Sequence, residues 1–203
     1  MAEQTVQVIK SYVAYRLQWL QKLPEHQQKA ALANLRKGIG KAPGDLPELW
    51  GIFLQDLPVE LESRTGKPTD AEWAIYLALT LYALHQQGHL LPTDSMYKPS
   101  VSLGQAVRKL VDPGEKPEDS SVLPRFNALA TAGTMTERSQ HLRGIVQLLR
   151  AKSVALDYVQ LAADLFWLQK ATSAAQVRLR WGQDYYYTSK QKSENGTEIK
   201  KGE

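Results

Sequence analysis

Two stretches of the 203-residue chain each carry four cations with no acid among them. Lys29 to Lys41 (KAALANLRKGIGK) holds Lys29, Arg36, Lys37 and Lys41, and Arg138 to Lys152 (RSQHLRGIVQLLRAK) holds Arg138, Arg143, Arg150 and Lys152. The net charge is only +4. Clustered Lys and Arg on such a balanced chain suggest a track for a polyanion, because neutralised phosphates release their counterions. Arginine suits this task, since its planar fork can grip phosphate oxygens bidentately. On a helix, Arg143, Gln147 and Arg150 recur at steps of four and three and share a face. The two arginines are then about 10 Å apart along the axis, enough to reach two phosphates of one strand. The alternative is two solvated helix faces, with Arg143 or Arg150 pairing with Asp157 or Asp164 on the next helix. Arg36 and Lys37 close a helix whose dipole favours cations. With Lys41 they form a compact knot of charge on a backbone expected to be exposed at Gly38 and Gly40. Arg108, Lys109 and Arg125 are further candidates. Arg178 and Arg180 diverge by about 160° on a helix, so one of them is expected to be structural.

Other chemistry is weakly represented. His85 and His89 stand four apart, a spacing at which two imidazoles can share a metal, but the intervening residues are Gln-Gln-Gly and no third ligand is evident. The segment Gly38 to Asp45 (GIGKAPGD) lacks phosphate-loop spacing and follows a helix where such a loop follows a strand. There is no nucleophile elbow and no tight D-x-D cluster. The absence of cysteine excludes disulfides, thiolate nucleophiles and cysteine-ligated metals. Neither a cofactor nor an enzymatic activity is expected. Trp19, Trp50, Trp73 and Trp167 fall on apolar helix faces and are read as core. Tyr185, Tyr186 and Tyr187 are read as a closing helix packed on the domain. Without an exposed aromatic platform, the binding expected is to the backbone and indifferent to sequence.

These cations require helices to position them. With 43% hydrophobic and 23% charged residues, the composition is that of an ordinary globular protein. The start of the chain lacks a signal-peptide pattern, and the longest apolar run, Ala74 to Leu84, is about half of what a bilayer requires. A cytoplasmic protein without a membrane partner is expected. Val6, Ile9, Tyr12, Val13, Leu17 and Leu20 recur at helical steps over residues 3–22. A second helix begins at Pro24 and ends at the glycines 38 and 40, and Pro47 opens a third. Thr69-Asp70-Ala71-Glu72 reads as the start of the apolar helix that ends near Gly88. A short helix over 103–111 follows, then helices near 122–132, 135–152, 158–169 and 174–186. Thr134 and Glu137 fit a capping box. No segment alternates as a strand does. The fold class is therefore all-α, two packed helical bundles of about eight or nine helices with no sheet. An N-terminal part is expected over 1–100, a C-terminal part over 101–188 and a disordered tail over 189–203.

Over residues 25–187 the chain resembles CasB, the small-subunit family of the type I-E CRISPR Cascade complex. Residues 31–50 (ALANLRKGIGKAPGDLPELW) are similar to the family's arginine-rich glycine turn followed by P-x-L-W. Residues 71–87, 102–110, 125–132, 141–158, 161–169 and 177–186 then match further family segments in order. The resemblance implies an all-α, non-enzymatic subunit that occurs in two copies and touches the repeated backbone subunit, the large subunit and its own second copy. It also implies that basic grooves hold crRNA, target DNA and the displaced strand. The positions matching the family's basic motifs are Arg36, Lys37, Lys41, Arg108, Lys109, Arg125, Arg143 and Arg150. Gln105 stands where the family often has Arg, which leaves Arg108 as the substitute for a phosphate contact there.

Overall fold

The computed structural model describes residues 2–187; the tail expected over 189–203 lies outside them. Helix α1 (Ala2–Lys22) buries Val6, Ile9, Tyr12, Val13, Leu17 and Leu20, the stripe its spacing predicts. Arg16 joins that buried face. Its guanidinium lies 4.1 Å from the centre of the Trp19 ring, and Nη2 donates to the Gly51 carbonyl at 3.3 Å. Helix α2 (Glu25–Lys37) leads through a glycine turn to a short 3₁₀ turn at Pro47–Leu49 and the one-turn helix α3 (Trp50–Phe53). Trp50 corrects an expectation, because it is 51% exposed. On so short a helix only one side meets the core, and Leu49, Ile52 and Phe53 occupy it. Trp19, Trp73 and Trp167 are partly buried and pack against the core, while Trp181 is buried completely.

Helix α4 (Asp70–His85) opens with a full capping box between Thr69 and Glu72. Every residue in it from Ala74 to His85 is buried, so the apolar run is a central core helix. A hydrophobic side chain moved from water into such a site contributes about 1.5–3 kcal/mol, which makes α4 the chief source of cohesion. Helix α5 (Leu103–Arg108) follows, then a 3₁₀ turn at Pro117–Asp119 and α6 (Leu123–Thr131). Helix α7 (Met135–Ala151) starts at the Thr134/Glu137 capping box, and α8 (Tyr158–Leu168) and α9 (Ala174–Tyr186) complete the described residues. Among the described residues there is no strand; a lone bridge joins Tyr97 to Leu156.

Helix α4 packs against α1, α2, α7 and α8, and α1 packs against α8. Elements from both expected parts thus enclose one contiguous cluster of buried side chains from Val6 to Tyr185. Helices α5 and α9 approach most closely at Gly104. A Cβ there would run into the Trp181 carbonyl oxygen and stand 2.8 Å from Asp184 Cβ and 3.1 Å from Tyr185 N. Gly104→Ala is therefore expected to destabilise the fold by about 2–3 kcal/mol, the upper range for overpacking, measured by urea denaturation.

His85 ends α4 inside the core, with Nδ1 2.9 Å from the Tyr158 hydroxyl. Burial, aided by the nearby His89 and Arg150, pushes its pKa down from 6.5 to about 4. The unfolded chain then binds more protons than the folded one between those values, so stability falls as pH drops through this window. The loss attributable to His85 is about 3 kcal/mol between pH 6.5 and 4. Denaturation midpoints across that range should show a slope that His85→Leu removes.

Candidate nucleic-acid interface

The two basic stretches meet at the C-terminal end of α4. Gly38 caps α2 and lies flat against α4, where a Cβ would stand 2.6 Å from the Tyr76 hydroxyl and 2.8 Å from Leu49 Cδ1. Tyr76 in turn donates to the Gly38 carbonyl at 3.1 Å. Gly38 is therefore buried, contrary to the exposed backbone expected there; the turn is instead open at Gly40, whose φ is +81°. This contact brings Arg36, in the last turn of α2, over the end of α4, where Nη1 donates to the Ala83 carbonyl at 3.4 Å. From the other side Arg150, in the last turn of α7, donates from Nη1 to Gln87 Oε1 at 2.7 Å. Burial and then the charge of Arg150 lower the pKa of Arg36. Two guanidinium groups are thus held close together, bonded to a carbonyl and an amide, and no carboxylate joins them in an ion pair among the described residues.

Neither acid that could have neutralised the α7 arginines does so. Asp157 caps α8, its carboxylate accepting from Gln160 N at 2.9 Å and Ser100 N at 2.8 Å. Asp164 is buried and accepts from Trp181 Nε1 at 2.6 Å, from Gln160 and from Arg180. Arg180 is therefore the structural arginine of its pair, and Arg178 is exposed. Arg143 is exposed two turns before Arg150 on the same face of α7, about 10 Å away along the axis.

The remaining candidates divide. Lys37 makes a loose, exposed ion pair with Glu48 at 4.0 Å. Lys41 lies exposed on the glycine turn. Arg108 is partly buried at the end of α5, with Nε unpartnered, and Lys109 beside it is exposed. Lys152, just past Arg150, is occupied by the Leu110 carbonyl at 3.0 Å and Asp112 at 2.7 Å. That contact ties the end of α7 to the chain just beyond α5, so Arg108 and Lys109 stand near the same end of the bundle as Arg36 and Arg150. Arg125 stands apart at the exposed start of α6. Gln87, which fixes Arg150, carried no signal in the sequence beyond its place after an apolar helix.

The histidine pair does not form a metal site. Helix α4 stops at His85, and the chain turns at Gly88, with φ +92°, before His89. His89 Nδ1 then lies 2.6 Å from Asp94 Oδ2, while His85 faces Tyr158. Among the described residues no group of three or more His, Asp or Glu side chains could hold a metal ion, and no helix is long and apolar enough to cross a membrane.

The family model of CRISPR-associated protein Cse2 matches residues 31–186. The structure of CasB from Thermobifida fusca is 34% identical, with a TM-score of 0.74 over 89% of this chain and 98% of that one. CasB from Thermus thermophilus is similar in fold, with 23% identity and a TM-score of 0.61 over 91% and 97% of the two chains. No curated protein sequence matches the chain.

The geometry separates cations that hold the fold from cations that do not. Arg180→Met leaves the buried Asp164 carboxylate short of its charge partner and should cost about 2–4 kcal/mol. Arg150→Met loses one exposed hydrogen bond and relieves repulsion on Arg36, so stability should stay within about 0.5 kcal/mol of the parent. Chemical denaturation of the two variants measures the contrast.

Proposed function

The chain belongs to the CRISPR-associated Cse2 family, and from that premise we propose that it is a non-catalytic Cascade subunit that binds nucleic acid along the cationic end of its helical bundle. The observation that carries this reading is the convergence of Arg36 and Arg150, from distant parts of the sequence, with no carboxylate paired to either. Two like charges held together in a folded protein favour any ligand that brings negative charge, and a phosphodiester strand brings it repeatedly. Arg143 extends the track along α7, Lys37 and Lys41 extend it along the glycine turn, and Arg108 and Lys109 extend it past α5. Arg125 would need a strand that continues around α6.

Contacts of this kind address the backbone, so they serve any sequence. That suits a subunit acting on crRNA paired to target DNA and on the displaced strand. In R-loop formation the duplex lost and the hybrid gained nearly balance, so a few phosphate contacts tip the exchange. Such a subunit would work beside the repeated backbone subunit, the large subunit and a second copy of itself in the cytoplasm.

The test is binding of labelled oligonucleotides to the isolated chain over a salt series. Arg36→Ala and Arg150→Ala together should weaken binding to unrelated sequences alike. They should also flatten the slope of log K against log salt by about 0.9 for each duplex DNA phosphate that is no longer neutralised. Unchanged binding, with failed incorporation into the complex, would mean that these arginines meet acidic protein surfaces instead.

A further inference from the structure

A second pair of cations without an ion-pair partner lies away from the end of α4. Arg138 sits in the first turn of α7, where the helix dipole disfavours a cation, and it is only 6% exposed. Its Nη1 reaches the Met135 thioether at 3.7 Å, and Nε has no hydrogen-bond partner. The neighbouring Glu137 carboxylate is engaged by the amides of Gly133 and Thr134 at 2.8 and 3.1 Å. Burial and then the charge of Arg178 on α9 lower the pKa of Arg138, and the Glu137 charge offsets them only in part. A buried guanidinium beside a like charge is costly unless an anion joins them.

Arg178 also lines a groove of about 60 Å³ between α6 and α9. The stacked rings of Phe126 and Trp181, 5.9 Å apart, lie beneath it. Asn127 flanks it from α6, Tyr186 from α9, and Gly182 leaves the backbone of α9 open between them. A Cβ on Gly182 would meet nothing within 4 Å. Beside the groove Leu179 is 64% exposed and Tyr186 is 47% exposed. Size decides the occupant. A cavity of about 150 Å³ is what accepts benzene, so this recess cannot enclose a nucleobase, whereas the tip of a branched aliphatic side chain fits within it. No acid lines the groove.

We propose that this groove docks an acidic segment of a partner subunit, which seats an aliphatic side chain over Gly182 and a carboxylate on Arg178. The carboxylate's charge also offsets Arg138. Tyr and Arg beside a small apolar recess are the residue types that dominate interface energetics. The proposal rests on the reading of the chain as a Cascade subunit, and it adds a protein-facing surface separate from the phosphate track.

The experiment titrates the full chain into a Cascade assembly reconstituted without it. Gly182→Leu starts from an open Cβ position, projects into the groove and improves helix propensity, so its melting temperature should not fall. It should nevertheless weaken incorporation at least tenfold. Arg178→Glu should do the same, and Arg178→Lys should retain most of the affinity. All three variants should bind oligonucleotides as the parent does, apart from a small charge effect in Arg178→Glu. Incorporation of Gly182→Leu and Arg178→Glu within twofold of the parent would overturn the proposal. So would normal incorporation with lost oligonucleotide binding, which would make the groove a nucleic-acid contact. If the parent chain itself did not join the assembly, the subunit reading would fall, and this inference with it.

Discussion

A helix buried on every side has nowhere to send the carbonyls of its last turn. In α4 the residues of the last turn are buried, so donors come from the chain just past the helix and from neighbouring elements. The amide of Gln86 serves Tyr82, the Tyr158 hydroxyl serves Leu81, and the guanidinium of Arg36 serves Ala83. Gln87, the second residue past the helix, then holds Arg150. The burial of α4 therefore explains both its large share of the core and the meeting of two arginines at one end of it.

The positive charges of the chain fall into two groups by what they touch. Arg180, Lys170 and Lys152 are bound to Asp164, Asp70 and Asp112, and they fasten one element to another. Arg16 is sunk beneath Trp19 and fixes α1 to the one-turn helix α3. The second group, Arg36, Arg143, Arg150, Lys41 and Lys109, has no ion-pair partner among the described residues. Cations of this second kind, Arg108, Arg125, Arg138 and Arg178 included, have charge left over for a ligand, and net charge alone could not have distinguished the two kinds.

Much of the fold was legible because it is local. The stripe on α1, the apolar run of α4, the N-cap at Thr69 and the capping box at Thr134 are short-range patterns that tertiary contacts had no reason to override. The misreadings arose where packing between distant segments decides. Gly38 looked like an exposed turn residue, yet Tyr76 and Leu49 close over it. Trp50 looked like core, but a single turn of helix offers the interior only one side. The clustering of cations in two stretches was visible, and so was the need for one of Arg178 and Arg180 to be structural. Which one it was depended on the position of Asp164 on α8, and the meeting of Arg36 with Arg150 depended on α4 between them.

Helix α4 is anchored at its other end too. Asp70 is gripped by Lys170, and its carbonyl accepts from Gln169 Nε2 at 2.8 Å, so the beginning of α4 is tied to the end of α8. The rod that carries the two guanidinium groups is thus clamped at both tips and packed along its length. If the proposed site captures a strand, most of the disorder that a polyelectrolyte site ordinarily surrenders in doing so is already surrendered when the chain folds. Recognition then resembles a key meeting a finished lock, and the rigidity of an apolar interior becomes a property of a charged rim.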